Sequence, residues 1–171
     1  MDQERLAEWF DKYGESVFTY ILLMVRDYHQ AEDLTQETFL KAHRHQHQFK
    51  QKSSVKTWLF TIAHNVTRDH MRKKHPLQHC LGFTMQEIDS KPIPEQMILM
   101  NFQNEQLYRA IQQLKPSYRN VIILRKLKEF STKETAQILN WSESKVKMTL
   151  KRALDKLEND LIREGLANEI F

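Results

Sequence analysis

Apolar residues recur at three- and four-residue intervals along most of the chain, the spacing of α-helices that each bury one stripe. The pattern predicts helices over 3–25, with a break near Gly14, and over 29–47 and 54–74, the last two separated by polar KQKSS. The period is lost in HPLQHCLGFTMQEIDSKPIP, which holds three of the four prolines and reads as a linker. Helical spacing returns from about 95 to 165, with Pro116 placed where a helix can start. The expected fold is all-α: two small helical domains, 1–75 and 101–171, joined by a linker over 76–100.

The sharpest local pattern is STKETAQILNWSESKVKMTLKRALDKL, residues 131–157, which has the form of a helix-turn-helix. Ser131 or Thr132 can cap the first helix, with Glu134 in its first turn. Ala136 is small where two helices must cross closely. Asn140 stands at the turn, where a left-handed residue is needed and Asn tolerates it. Ser142 can cap the second helix. There Val146, Leu150, Ala153, Leu154 and Leu157 make an apolar stripe. The other side carries Ser144, Lys145, Met148, Lys151 and Arg152, with the length and charge to enter a major groove. Ser144, Lys145 and Met148, at the helix start, are placed to reach base edges. Lys147, Lys151 and Arg152 are candidates for phosphate, which positions without specifying.

A second candidate is KTWLFTIAHNVTRDHMRKK, residues 56–74. On a helical wheel Leu59, Ile62, Ala63 and Val66 share one face. The opposite face carries Thr57, Thr61, His64, Asn65, Arg68 and Arg72, with Trp58 at its edge. Asn can bond base edges, Arg can hold phosphate, and an aromatic ring can support unstacked bases. The preceding loop offers Phe49, Lys50, Lys52, Ser53 and Ser54, a set suited to a base drawn out of a duplex. Flipping a base costs a few kcal/mol, which other binding must offset.

Charge sharpens the contrast between segments. The net charge is +4, yet residues 1–40 hold three Lys/Arg against nine Asp/Glu, and residues 41–75 hold nine against one. The basic block calls for a polyanion. The acidic segment includes AEDLTQETFLKAHR, whose wheel buries Ala31, Leu34, Thr38 and Ala42, with Phe39 at the margin. Its outer face shows Asp33, Gln36, Glu37 and Leu40. Carboxylates repel phosphate, so this face suits a basic protein partner, with Leu40 as its apolar centre. Composition adds exclusions. One cysteine, Cys80, allows no intrachain disulfide. The N-terminus reads as neither signal peptide nor membrane span, so a cytoplasmic setting is expected.

Three of these motifs together resemble the extracytoplasmic-function (ECF) sigma factors of bacterial RNA polymerase. AEDLTQETFLKAHR resembles region 2.2 of that family, and KTWLFTIAHNVTRDHMRKK its regions 2.3–2.4. LKPSYRNVIILRKLKEFSTKETAQILNWSESKVKMTLKRALDKL resembles region 4 without a gap. The likeness covers about 6–75 and 105–160. The family usually carries Gly where Asn140 stands and an aliphatic residue in place of Thr135. Its recognition helix often has Arg for Thr149 and His for Lys151. The resemblance implies that the first domain binds the polymerase clamp, through Asp33, Gln36, Glu37 and Leu40, and melts the −10 element. The second would bind the −35 duplex. It also implies an anti-sigma partner, no cofactor and no enzymatic activity of the chain itself.

Two rivals come from other classes. A stand-alone helix-turn-helix regulator with a protein-binding first domain would bind duplex DNA tightly without polymerase. A metal-dependent enzyme is prompted by eight histidines, with His75, His79 and Cys80 close in the linker and His43 and His47 on one helix. No fourth ligand converges with them, so no metal site is assigned.

Overall fold

The computed structural model describes residues 2–49, 53–74 and 105–163. Among these there are seven α-helices and no strand. They are α1 (Asp2–Val25), α2 (Tyr28–His45), α3 (Val55–Lys74), α4 (Glu105–Gln113), α5 (Pro116–Ile122), α6 (Thr132–Leu139) and α7 (Glu143–Arg163). A 3-10 turn, Gln46–Gln48, follows α2, and a π-helical turn, Ile123–Leu127, follows α5. The expected linker over 76–100 and the tail from Leu166 to Phe171 lie outside the described residues.

Helix α1 runs through Gly14 without the expected break. The ring of Phe10 lies against this position, 3.5 Å from where a Cβ would stand. The helix cost of a single glycine, about 0.5–1 kcal/mol relative to Ala, is too small to break a 24-residue helix. Asp27 caps α2, its carboxylate accepting from the Gln30 N–H at 2.9 Å. Ser54 caps α3, accepting from the Thr57 N–H at 3.1 Å. Pro116 opens α5 at its first turn, where a missing N–H costs nothing.

Helices α1, α2 and α3 pack around Val17, Tyr20, Ile21, Leu34, Leu59, Phe60 and Ala63. The second half has its own core, in which Ala110, Ile111, Leu114 and Ile122 meet Ala153, Leu157 and Leu161. The two halves do not merely hang on a linker. Residues of the second half, including Val121, Leu124, Phe130, Ile138 and Val146, join the core of the first. Phe130 is the plug: it is buried, and its ring sits edge-on to Phe60 at 4.8 Å. The backbone turns it there. Lys128 N–H closes the π turn onto Ile123 O at 2.8 Å, and Glu129 takes a left-handed conformation (φ 58°). Phe130 N–H then bonds Leu124 O at 3.0 Å, and Arg125 donates back to Phe130 O.

Polar groups stitch the same seam. Gln112 donates to Leu23 O at 3.0 Å, and Arg26 donates to Gln112 O. The buried Arg119 guanidinium reaches Gln112 O (2.6 Å), Leu114 O (2.9 Å) and Met24 O (3.4 Å). It thereby gathers carbonyls from the ends of α1 and α4, where the helix dipoles are negative. Burial, with Arg26 nearby, lowers the Arg119 pKa to about 9, so it remains a cation at neutral pH.

Candidate nucleic-acid interface

The helix-turn-helix is built by α6 and α7. Ser131 Oγ accepts from the Glu134 N–H at 3.1 Å, and the Glu134 carboxylate accepts from the Ser131 N–H at 2.8 Å, a complete capping box. The Ser131 N–H is the main reason the Glu134 pKa lies below the usual carboxylate range. Asn140 ends α6 in the left-handed region (φ 54°, ψ 49°), as the turn requires. Ser142 Oγ then accepts from the Lys145 N–H at 3.2 Å and starts α7. Val146, Ala153 and Leu157 are buried, while Leu150 and Leu154 are half-buried.

On the outer side of α7, Ser142, Ser144, Lys145, Lys147, Met148, Lys151 and Arg152 are all exposed. Met148 is 52% exposed, unusual for an apolar side chain at the centre of a cationic face. Lys145 lies over the Trp141 ring at 4.3 Å, which holds it near the turn. This arrangement presents hydroxyl, thioether and cationic groups on the first turns of an exposed helix, the geometry that reads a major groove.

The basic helix α3 is arranged differently from its wheel. Asn65, Arg68 and Arg72 are exposed, and Thr61 is half-buried with its hydroxyl donating to Thr57 O at 2.9 Å. Thr57 and His64 are buried, contrary to their expected place on the open face. The second half of the chain engages Thr57, whereas His64 turns inward to α1. Thr57 donates to the Glu134 carboxylate at 3.2 Å, and His64 Nδ1 lies 3.0 Å from Tyr20 Oη. Tyr20 donates to Asn120 Oδ1 at 2.7 Å. Burial pushes the His64 pKa down to about 4, with Arg68 adding and Asp69 opposing. Arg68 and Arg72 both approach Asp69, at 3.3 and 3.6 Å, which aligns the two guanidinium groups.

Trp58 is half-buried and packs with Phe49 (5.1 Å) and Trp9 (5.6 Å), while Arg5 sits over Trp9 at 5.2 Å. The structure therefore joins Phe49 to Trp58 in one aromatic cluster. Trp9, on the acidic first helix, was not among the residues the sequence singled out. Its signal was only an aromatic at a core position of α1. Ser53 is half-buried and Ser54 is exposed but engaged as the α3 cap. Lys50 and Lys52 lie outside the described residues.

The acidic helix α2 follows its wheel. Ala31, Leu34, Thr35, Thr38, Phe39 and Ala42 are buried. Asp33, Gln36, Glu37 and Leu40 are exposed, Leu40 by 55%. Lys41 pairs with Glu37 at 2.8 Å across one helical turn. Among the described residues no group of His, Cys, Asp and Glu converges as a metal site; His75, His79 and Cys80 lie outside them. None of the described helices is long and apolar enough to cross a membrane.

These two basic surfaces match known protein families in chain order. The Sigma-70 region 2 family matches residues 9–76, and Sigma-70 region 4 matches residues 104–157. The ECF RNA polymerase sigma factor SigX of Bacillus subtilis (strain 168) is 35% identical, over 98% of this chain and 90% of its own. The chain belongs to the ECF sigma factors. Likewise, SigM of the same organism is 34% identical over 96% of this chain and 99% of its own. Among solved structures, the sigma factor RpoE in complex with the anti-sigma factor NepR from Bartonella quintana superposes with a TM-score of 0.73 at 25% identity. That match covers 91% of this chain and 96% of that one. CnrH, in complex with the cytosolic domain of CnrY, shares the fold with a TM-score of 0.69 at 21% identity, over 94% of this chain and 90% of that one. This sigma factor thus places its region 2 on α1–α3 and its region 4 on α4–α7.

Proposed function

We propose that this ECF sigma factor works through three separate surfaces, one for polymerase and two for promoter DNA. The chain directs transcription initiation by core RNA polymerase and supplies recognition rather than chemistry. The face of α2 formed by Asp33, Gln36, Glu37 and Leu40 docks on the polymerase clamp, where acidic groups around an apolar centre meet a basic partner. Ser144, Lys145 and Met148 read the −35 bases, while Ser142, Lys147, Lys151 and Arg152 hold its phosphates. Asn65, Arg68, Arg72 and Thr61, with Phe49, Trp58, Lys52, Ser53 and Ser54, hold the unpaired −10 strand. An anti-sigma protein that covers these surfaces is the expected inhibitor, in a cytoplasmic setting.

One observation carries the reading: α7 leaves its whole cationic side free after a capped, left-handed turn. The test is reconstitution. Purified protein mixed with bacterial core polymerase should start transcripts at a defined set of promoters. Binding to core without redirected initiation would reject the reading. Leu40→Asp should abolish holoenzyme formation while the circular dichroism spectrum stays unchanged. Retained core binding in that variant would remove α2 from the docking surface.

A further inference from the structure

Trp9 stands on the acidic first helix, yet its ring partners among the described residues are two members of the proposed −10 surface. Its ring lies edge-on to Phe49 at 6.3 Å (79°) and edge-on to Trp58 at 5.6 Å (72°). Phe49 and Trp58 are themselves 5.1 Å apart and tilted by 40°. None of the three pairs is a parallel stack, the arrangement that an incoming base would have to displace. Trp9 is only 7% exposed, whereas Phe49 and Trp58 are half-buried. Arg5 also lies over the Trp9 ring, at 5.2 Å. Trp9 is therefore closed to a base, but it can decide where the other two rings stand.

The two outer rings differ in how firmly the backbone holds them. Trp58 lies in the first turn of α3, and its N–H bonds Ser54 O at 3.0 Å. Phe49 follows the 3-10 turn in extended backbone (φ −70°, ψ 96°), with its N–H bonded to Gln46 O at 3.1 Å. Short 3-10 turns have poorer hydrogen-bond geometry than α-helices, so the Phe49 ring is placed mainly by what it packs on. We infer that Trp9 is a positioning residue for capture of the −10 strand: it ties the Phe49 turn to α1 and holds the Phe49 ring at a fixed tilt to Trp58. An unpaired base then meets an aromatic site that is already formed. This role rests on the reading of Phe49 and Trp58 as −10 residues. The physical gain is preorganisation, because a turn ordered beforehand need not be ordered by the base. Stacking on an aromatic ring accepts any base, since every base has a π-face. Ring placement therefore sets how strongly binding depends on a base being present at the captured position.

The test uses holoenzyme reconstituted from the full chain and bacterial core polymerase. The probes are fork-junction DNAs from promoters at which that holoenzyme initiates, single-stranded across the −10 element, with an abasic site at each position in turn. In the unsubstituted protein an abasic site at the captured position should weaken binding about tenfold, and Phe49→Ala should erase that penalty. Trp9→Leu and the more adaptable Trp9→Met should erase it too, with core binding and −35 duplex binding unchanged. Trp9→Phe should restore most of it, because a ring remains. Val17→Ala, a change at a buried α1 position, controls for stability and should keep the penalty. A penalty that survives in the Leu and Met variants would overturn the inference, and so would its loss in Val17→Ala. Loss of core binding in both Trp9 variants would mark Trp9 as a core residue alone, with the same consequence. If no position carries a penalty that Phe49→Ala or Trp58→Ala removes, the −10 reading of these rings fails, and the role of Trp9 falls with it.

Discussion

Helices α3 and α7 are near twins on paper: 20 and 21 residues, both basic, both with one clear apolar stripe. In the folded protein they diverge. Helix α7 buries its stripe and exposes everything opposite. Helix α3 buries a stripe against α1 and α2, turns His64 inward to Tyr20 of α1, and is engaged again by the second half at Thr57. The difference shows that a polar strip can be both a ligand surface and an internal contact. Polar groups are satisfied equally well by DNA, water or another helix.

The largest expected effect comes from removing the plug between the two halves. Phe130→Ala deletes a buried ring packed on Phe60, and should cost about 3–5 kcal/mol in urea unfolding followed by tryptophan fluorescence. It should also make α3 resemble α7, with its outer strip fully protease- and reagent-accessible. A loss below about 1 kcal/mol would mean that the seam adds little to the fold.

Acid should act next. The groups facing His64 are Tyr20 from α1, Asn120 beyond it from α5, and Arg68 and Asp69 on its own helix. Its pKa is lowered from 6.5 to about 4, so the buried form is neutral. The folded protein therefore keeps this contribution in full above about pH 6.5 and loses it as pH falls toward 4. The loss totals about 3 kcal/mol for a shift of this size. The urea midpoint should fall over that range, and His64→Phe should flatten the response. The same pH profile in that variant would point to another group.

Single contacts should have smaller effects that separate the two helices by function. Lys145→Ala should cost about 1–3 kcal/mol at one −35 base pair, seen as a relaxed preference in selected duplexes. Asn65→Ala should leave duplex binding and core binding intact and reduce strand opening, read by permanganate reactivity. Equal loss in both assays would merge the roles of the two helices. The smallest effect belongs to the turn: Asn140→Gly should change stability by under about 1 kcal/mol, because Asn already adopts the left-handed region (φ 54°).

Much of this was legible from local pattern. The capping box at Ser131 and Glu134, the left-handed Asn140, the Ser142 cap and the Pro116 start all follow from short-range rules, since each involves neighbours within about four residues. The α2 wheel placed Leu40 outside and Ala31, Leu34, Thr38 and Ala42 inside. Where it erred, two causes differ. Gly14 looked like a break, yet the helix cost of one glycine is too small to interrupt a 24-residue helix. His64 and Thr57 looked open because their partners, Tyr20 and Glu134, lie 44 and 77 residues away along the chain.

The sequence by itself determined the helices, their caps, the helix-turn-helix and the change of charge between α2 and α3. These depend on residue types at fixed spacing, which the linear text preserves. Only the tertiary structure decided that Tyr20, His64 and Asn120 form one buried polar chain, with Tyr20 and Asn120 lying 100 residues apart. Polar side chains carry no signature of which distant partner will satisfy them. That choice is made when two apolar cores dock and leave specific donors facing specific acceptors.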